Sequence, residues 1–436
     1  MQDTAPRASE AAPELGRATL TKVSWRLLPF LLLLYVVAWL DRVNVGFAAL
    51  QMNEDLGFSA TVFGLGASIF FWGYALFEVP SNLILVRVGA RFWIARIMIT
   101  WGVLSIAMLF VQGPISFYVL RFLLGVAEAG FLPGIIYYLG HWYPARDRAR
   151  AVSWFMVAIP LSTVIGAPLS GVILELDGWH GLTGWQWLFL LEGLPAIVLG
   201  FVVLGYLTDS PDKAKWLAPE QCAWLTERIR SEQRAAQERH GIGLGTAFIH
   251  PTVWLLALIL FACQCGSYGL TFWIPQIVQR LSGYSDLTVS MISALPYTAA
   301  AVGMIAIAAS SDRHGERFLH IAIPSAIGAI GFLASAYFTS PLPAMIALTI
   351  AAVGDLGTRG PFWTLPTRFL TGSAAAAGIG LINTMASFGG AVGPLAVGFL
   401  LDRTGGYAAG LAFLAVLLML AAVAAVALRG ARALAD

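Results

Sequence analysis

The stretch AWLDRVN (Ala38–Asn44) places an acid and a base side by side inside an apolar segment that runs from about Trp25 to Leu50. With a rise of about 1.5 Å per residue, Asp41 lies about 24 Å along a helix that starts at Trp25, within a hydrocarbon layer about 30 Å thick. A charged side chain at that depth costs about 2.5–3.5 kcal/mol on insertion scales. The segment therefore predicts a transmembrane helix whose charges have partners or a water-filled cavity.

The composition of the whole chain is that of a membrane protein. Hydrophobic residues make up 58% of the 436 residues and charged residues only 11%, against about 25% in soluble domains. Apolar runs of membrane-spanning length recur along the sequence, which predicts an all-α integral membrane protein with twelve transmembrane helices. The predicted spans are residues 25–50, 58–86, 92–112, 115–142, 149–175, 185–207, 251–280, 287–310, 318–339, 342–370, 374–401 and 406–429.

The positions of lysine and arginine predict the orientation. Most of the 26 lie in the two tails and in the connections that follow even-numbered helices, whereas Arg280 and Arg403 lie in the opposite connections. Because positive residues favour the cytoplasmic side, both termini and the 208–250 segment are expected in the cytoplasm, with the protein in a bacterial inner membrane. The net charge of +2 then reflects topology, and no nucleic-acid partner is expected.

A weak internal repeat divides the predicted helices into two sets of six. Arg87-Val-Gly-Ala-Arg91 and Arg313-His-Gly-Glu-Arg317 share an R-x-G-x-R pattern at an offset of 226 residues (313 − 87). Two pseudo-symmetric halves in parallel register produce such an offset. The predicted parts are an N-terminal tail (1–24), an N-terminal half (25–207), a cytoplasmic linker (208–250) with a short amphipathic helix over 218–235, a C-terminal half (251–430) and a C-terminal tail (431–436).

Helix 4 carries a second acid and a second base in RFLLGVAEAGFLPG (121–134). Arg121 and Glu128 are seven residues apart and lie on nearly the same face of the helix. Together with Asp41 and Arg42 they make two acids and two bases, and pairing is the least costly way to keep all four in a membrane. Two interpretations stay open: a static ion-pair network, or a proton site in which a carboxylate beside an arginine changes its protonation as water or an anion arrives.

Helix 10 carries the second charged pair. Asp355 and Arg359 are spaced i, i+4 and are expected to pair, and Trp363 follows between two prolines. We place all three among the substrate-binding candidates. Two more acids, Glu78 and Glu192, are predicted to lie within the membrane, where a structural and a functional role are both open.

Helices 2, 7 and 11 add uncharged polar candidates. Tyr74 offers a hydroxyl on helix 2, and Asn383 on helix 11 offers an amide suited to a hydroxyl or a carboxylate. On helix 7, Tyr268 is placed toward a cavity, whereas Trp273 near the end of the helix is interpreted as an anchor at the membrane interface.

No pattern in the sequence predicts a cofactor, a metal site or an enzyme. Cys222, Cys263 and Cys265 have neither a disulfide framework nor metal-ligand spacing. The six histidines map to helix ends or connections, and there is no nucleotide-binding loop and no nucleophile–histidine arrangement. A membrane enzyme is therefore disfavoured.

The chain resembles the major facilitator superfamily, and within it the anion–cation symporter branch, whose members take up tartrate, phthalate and sugar acids. The resemblance covers about residues 25–430. It is carried by LDRVNVGFA, YALFEVPSNL, RFLLGVAEAGFLPG, YGLTFWIPQIV, GPFWTLPTRFLTGSAAAAGIGLIN and SFGGAVGP. Val86 departs from the superfamily pattern, which has an aspartate in the loop between helices 2 and 3.

The resemblance implies proton-coupled carboxylate uptake by alternating access. It implies that Asp41 and Glu128 are the protonation sites and that Arg42 and Arg121 belong to the network around them. It also implies that Tyr74 and Asn383 lie near the substrate.

The sequence is therefore interpreted as a monomeric symporter that imports a small organic anion together with protons. The substrate-binding candidates are Arg42, Arg121, Tyr74, Asn383, Trp363, Asp355 and Arg359. Two titratable acids suffice to accompany a mono- or dianion, because each anionic charge needs at least one proton against an inside-negative potential. The alternative is a proton-independent uniporter or exchanger on the same fold, and the identity of the carboxylate is left open.

Overall fold

The computed structural model describes residues 7–237, 250–366 and 372–433, and its regular structure there is helical. Parts of the predicted tails, linker and tenth helix (1–6, 238–249, 367–371 and 434–436) lie outside the described residues. The long helices are α1 Arg7–Asp55, α2 Ala60–Val88, α3 Ala90–Ala107, α4 Pro114–Glu128 with Phe131–Gly140, α5 Ala145–Met156 with Ala158–Leu174, α6 Gly184–Tyr206, α7 Pro251–Ser282, α8 Asp286–His314, α9 Leu319–Tyr337, α10 Pro341–Gly357 with Arg359–Trp363, α11 Gly372–Thr404 and α12 Ala408–Ala433. Shorter helices are Met108–Phe110, Trp179–Gly181, Pro211–Lys213 and a surface helix, Pro219–Gln237.

Twelve helices in the described part of the chain are long and apolar enough to cross a membrane. This number confirms the predicted all-α fold class. The first helix differs from its prediction, because α1 begins at Arg7 and not near Trp25. Its early turns pack against the surface helix, where Gly16 lies directly beneath the Trp224 ring and Thr19 is fully buried. The proposed boundaries between tails, halves and linker stay predictions.

Helix α4 is interrupted immediately after Glu128. Gly130 has φ 85°, in the left-handed region that glycine adopts without the steric penalty of a Cβ atom. The Ser81 hydroxyl of α2 donates a 2.6 Å hydrogen bond to the Ala129 carbonyl oxygen, one of the backbone groups that the break releases. Glu128 therefore ends a helical segment within the bundle.

Helices α1–α6 and α7–α12 form two halves. They meet where α1 packs on α7, α2 on α11, and α5 on α8. The approach of α2 to α11 depends on small residues, since a Cβ atom on Gly64 would lie 2.7 Å from the Pro394 carbonyl oxygen. Gly398 likewise lies against the backbone of Ala60. The two halves thus touch backbone to backbone along this seam.

At one end of the bundle the halves are joined by side-chain hydrogen bonds. We call this end, which carries the α1–α2, α7–α8 and α11–α12 connections, the closed face. Gln51 Nε2 donates to Asp286 Oδ2 at 2.8 Å, and Asn53 Nδ2 donates to Gln276 Oε1 at 3.1 Å. Asp402 at the end of α11 accepts two bonds from the backbone at the start of α2. A polar cleft of about 270 Å³ opens on this face between α1 and α7.

The surface helix is attached to the N-terminal half. Leu225 and Ile229 are buried on one side of it, as the predicted amphipathic helix requires. Glu232 on the same helix accepts a 2.8 Å hydrogen bond from the backbone amide of Ala145, and Ala145 is the first residue of α5. The Trp216 ring stacks on Trp142 at 5.3 Å between centroids. The first part of the linker is therefore packed against the N-terminal half.

Candidate functional site: buried charges between the two halves

Asp41 is buried on α1, and its hydrogen-bond donors in the described part of the chain are uncharged. It is 6% exposed, and its Oδ1 atom accepts from the Ser105 hydroxyl of α3 and from Asn44 Nδ2 at 3.3 Å. Both donors are fully buried. The expectation that all four charged groups of this half pair with one another is thus wrong for Asp41, because α3 and the next turn of α1 supply its partners instead.

Arg42, the next residue on α1, forms the ion pair of this site. Its Nη2 atom pairs with Glu128 Oε1, and both side chains are less than 10% exposed. Its Nη1 atom donates a 3.4 Å hydrogen bond to the Tyr268 hydroxyl of α7, in the other half. The guanidinium therefore connects α1 and α4 of the N-terminal half with α7 of the C-terminal half.

Aromatic rings surround the Arg42 guanidinium. Its Cζ atom lies 5.3–5.5 Å from the centroids of three rings, those of Trp39, Phe70 and Tyr74. Such cation–π contacts strengthen when the cation is removed from water. The predicted candidate Tyr74 is therefore next to the charged centre, and its ring is 7% exposed.

Arg121 on α4 is 1% exposed, and among the described residues no carboxylate forms an ion pair with it within 4.0 Å. Its Nε atom donates to the Gly66 carbonyl oxygen at 3.2 Å, and its Cζ atom lies 4.9 Å from the Phe70 ring centroid. The Nη2 atom is buried without a hydrogen-bond partner. Leaving a buried donor unpaired costs about 1–3 kcal/mol, more for a charged group. A strong donor is thus free in the centre of the N-terminal half.

In the C-terminal half the predicted pair is connected through a serine. Asp355 Oδ2 accepts from the Ser267 hydroxyl, and Arg359 Nη2 donates to the same Ser267 Oγ at 2.7 Å. Arg359 Nη2 also donates to the Cys263 carbonyl oxygen at 3.2 Å and lies 3.9 Å from Asp355 Oδ1. The predicted i, i+4 pair therefore forms, but at long range, and α7 supplies the closer contacts of both partners.

The other candidates take up different positions. Asn383 Nδ2 on α11 donates a 3.2 Å hydrogen bond to Glu78 Oε1 on α2, which is a further hydrogen bond between the halves. Trp363 is 43% exposed and packs on the neighbouring Phe362 ring, and no contact described here connects it to the buried charges. Trp273 is 1% exposed and donates to the Pro394 carbonyl oxygen at 3.0 Å, so its interpretation as an interface anchor is wrong.

Within the described ranges, His, Cys, Asp and Glu side chains do not gather into a group of three that could hold a metal ion. The three cysteines are free thiols, and Cys263 and Cys265 are buried in α7. The chemistry of the site is thus that of paired charges, aromatic rings and hydroxyls.

The comparisons with known proteins assign the family. The sequence profile of the Major Facilitator Superfamily matches residues 31–394. The chain belongs to the major facilitator superfamily. It is 52% identical over 411 residues to a protein of Agrobacterium vitis named "Putative tartrate transporter", covering 94% of each chain. It is 44% identical over 398 residues to a "Quinolone resistance transporter" of Acinetobacter baumannii, covering 91% of this chain and 92% of that protein.

Solved structures of the superfamily have the same fold. A bacterial homologue of the human lysosomal transporter Spinster, in an inward-facing and unoccupied conformation, matches with a TM-score of 0.74 at 19% identity. The match covers 92% of this chain and 95% of that chain. These findings confirm the resemblance and the arrangement of twelve helices in two halves. They also identify the chain as a multi-pass membrane transporter and not an enzyme.

Several residues that contact the buried charges were not predicted from the sequence. Ser105 and Ser267 each donate to a buried aspartate, and the Gly66 carbonyl oxygen accepts from Arg121. A serine or glycine in an apolar helix is also common where helices pack closely, so its identity gives no sign of this role. The role of Asn44 could have been predicted, because an amide one turn after Asp41 is costly in a membrane helix unless it has a hydrogen-bond partner.

Proposed function

We propose that the chain is a proton-coupled symporter that imports a small organic anion by alternating access. The substrate is a carboxylate of the tartrate-like dicarboxylate, sugar-acid or aromatic-acid type, in line with the name of the 52% identical relative. The observation that carries the proposal is the buried Arg42–Glu128 ion pair at the contact between the halves. In the proposal, a substrate carboxylate competes with Glu128 for the Arg42 guanidinium at this place.

Energetics favour coupling to protons. Moving one negative charge inward against a potential of 100 mV costs about 2.3 kcal/mol. A proton carried on the protein cancels that cost for each anionic charge. Asp41 and Glu128 are the two proton sites of the proposal, and both are within the membrane-spanning helices and buried.

The proposed cycle begins with protonation of Asp41 and Glu128 from the outside, and the step at Glu128 frees the cation. The neutral form of Glu128 attracts Arg42 less strongly, so the guanidinium is released to bind a substrate carboxylate. Arg121 contributes the second anchor, because its Nη2 atom is already free of protein partners. Loss of both protons on the opposite side restores the ion pair and expels the anion.

The remaining binding residues lie around this centre in the proposal. Tyr74 packs against the Arg42 guanidinium, and Asn383 reaches across from α11. Asp355 and Arg359 form the polar group of the C-terminal half. Trp363 stays in the proposed set with the weakest structural support, since it is 43% exposed.

The proposed orientation has both termini in the cytoplasm of a bacterial inner membrane, with the chain acting as a monomer. With that orientation the closed face is periplasmic, because the α1–α2, α7–α8 and α11–α12 connections lie opposite the termini. Because hydrogen bonds join the two halves at the closed face, this face must separate in each transport cycle.

Uptake by the purified protein in liposomes tests the proposal. We expect a labelled tartrate-like dicarboxylate, sugar acid or aromatic acid to accumulate only when the outside is more acidic, and a quinolone in the same panel tests the specificity suggested by the second relative. Asp41→Asn and Glu128→Gln should abolish the dependence on the gradient, whereas the exposed Glu175→Gln should not. Counterflow without net proton movement would instead establish the uniporter or exchanger.

A further inference from the structure

Arg96 on α3 is a charged side chain that the proposed cycle does not use. It lies about 9 Å along the helix from its first residue, Ala90, inside the membrane-spanning segment Ala90–Phe110. Among the described residues, no acidic side chain forms an ion pair with it within 4.0 Å. An arginine within a membrane pairs with another group or reaches the lipid interface. Arg96 therefore needs a counter-charge that the described part of the chain does not supply.

The contacts of the Arg96 guanidinium are with neutral groups. Its Cζ atom lies 3.9 Å from the centroid of the Trp93 ring, and its Nη1 atom donates a 3.4 Å hydrogen bond to the Thr100 hydroxyl. The Nε atom is buried without a hydrogen-bond partner. A guanidinium carries donors on every nitrogen, so most of its N–H groups have no acceptor among the described residues. The group thus lacks acceptors as well as a counter-charge.

An apolar groove of about 190 Å³ lies beside Arg96, between α3 and α6. Its lining consists of Phe92, Ala95, Arg96, Ile99, Thr100 and Leu204. Val103 on α3 and Phe201 on α6 are more than half exposed within membrane-spanning helices, so these helices face lipid. An apolar groove in this position does not hold water, and a lipid acyl chain fills it.

The groove lies near one end of the membrane-spanning helices. Leu204 is in the last turn of α6, which ends at Tyr206, and Phe92 is in the first turn of α3. A lipid with its chain in the groove has its headgroup at this end, because the chain runs toward the middle of the bilayer. The long side chain of Arg96 can reach toward the headgroup from within the helix. The cation and the groove are therefore placed for two parts of one lipid molecule.

We propose that the groove between α3 and α6 binds one anionic phospholipid, with an acyl chain in the groove and the phosphate on Arg96. The phosphate supplies both the negative charge and the acceptors that the guanidinium lacks. Basic sites between membrane helices on the cytoplasmic side bind the headgroups of anionic lipids in this way. A free phosphate ion would satisfy the cation but leave the groove empty. Only the assignment to the cytoplasmic leaflet rests on the proposed orientation, in which α3 begins in the cytoplasm.

Native mass spectrometry of the purified protein tests the charge requirement. We expect one molecule of phosphatidylglycerol to bind at least about tenfold more tightly than phosphatidylethanolamine, whose headgroup has no net charge. Arg96→Gln should remove this preference, and Arg96→Lys should keep it, because an ammonium still binds phosphate as a point charge. The control Arg403→Gln, which removes an arginine beside the Phe399 ring, should also keep it. A preference that survives in Arg96→Gln, or that is lost in Arg96→Lys or Arg403→Gln, would overturn the proposal.

A second pair of variants tests the groove. Leu204→Trp places a larger ring in it and should weaken phosphatidylglycerol binding at least about tenfold, because displacing about two methylene groups already costs that much. Val198→Trp, at an exposed position on the same helix, is the control. Glycerol phosphate, which has no acyl chain, should not displace the lipid. Undiminished binding in Leu204→Trp, an equal loss in Val198→Trp or displacement by glycerol phosphate would refute the site. Because these measurements need neither transport nor a proton gradient, failure of the proposed symport would leave the lipid site standing.

Discussion

Asp402 and Thr61 are joined across the two halves, because Asp402 Oδ2 accepts a 2.7 Å hydrogen bond from the Thr61 backbone amide. The other carboxylate oxygen accepts from the Ala60 amide at 3.1 Å. A carboxylate at the end of α11 therefore caps the first turn of α2, whose amides have no partners within their own helix. This cap must break whenever the closed face opens.

We predict that Asp402→Ala destabilises the closed face. Loss of a carboxylate cap costs about 1 kcal/mol, which changes the ratio of closed to open states about fivefold. Spin labels on cysteines placed at the exposed positions Glu54 and Tyr284 report the separation of the halves. The variant should show a larger population at long distance.

A matched control removes a similar cap within one half. Asp177 accepts a 2.9 Å hydrogen bond from the Gly184 amide at the start of α6. Asp177→Ala should leave the distance distribution unchanged, because both groups belong to the N-terminal half. Equal responses in the two variants would show that Asp402 has no special part in closure.

We predict that Arg42→Lys lowers uptake at least about tenfold. A guanidinium can contact Glu128 and Tyr268 at once while its flat face lies against three rings, and an ammonium cannot reproduce this geometry. The measurement is the initial rate of uptake per folded transporter. Arg96→Lys is the control, since Arg96 lies 3.9 Å from the Trp93 ring within one half. A similar loss in both variants would point to general damage.

We predict that Arg121 contributes more to anion binding than Arg359. Arg359 already donates to Ser267 and to the Cys263 carbonyl oxygen, whereas Arg121 keeps a free buried Nη2 atom. A hydrogen bond to a charged group is worth about 1.5–3 kcal/mol, so Arg121→Lys should weaken affinity at least about tenfold. Ligand-induced thermal stabilisation measures this, and a larger loss in Arg359→Lys would place the main anchor in the other half.

We predict that Ser267→Ala destabilises the C-terminal half. Its hydroxyl connects Asp355 with Arg359, and its removal leaves a buried carboxylate oxygen without a donor, at a cost of about 1–3 kcal/mol. The apparent melting temperature should fall by several degrees. Ser335→Ala is the comparison, because the Ser335 hydroxyl on α9 is buried without a partner. Its removal should be nearly neutral, and equal effects would argue against the serine bridge.

The sequence predicted the number of membrane helices and the burial of their charges for a simple reason. Both follow from hydropathy, which each segment carries in its own residues. The contact between Arg42 and Glu128 was also foreseeable, because few partners exist for a charge inside lipid. The pairing of Asp355 with Arg359 followed from helix geometry alone.

Contacts that depend on tertiary packing were not foreseeable. Arg121 donates to a backbone carbonyl, and every residue has one, so no residue type marks that partner. Trp273 resembles an interface anchor by position, but it is buried because α7 faces α11 with the Pro394 carbonyl oxygen within reach. The early start of α1 depends on the surface helix, which lies two hundred residues later in the chain.

The seam at Gly64 and Gly398 has a mechanical consequence. Because these two positions carry hydrogen atoms in place of side chains, the α2 and α11 backbones can slide past each other there when one half rotates on the other. The resistance to rotation then resides in the hydrogen bonds that cross between the halves, such as those of Ser68 with the Ala391 carbonyl oxygen and of Gln51 with Asp286. A methyl group added at either glycine would press against the facing backbone, so it should hinder the rotation without contacting the substrate.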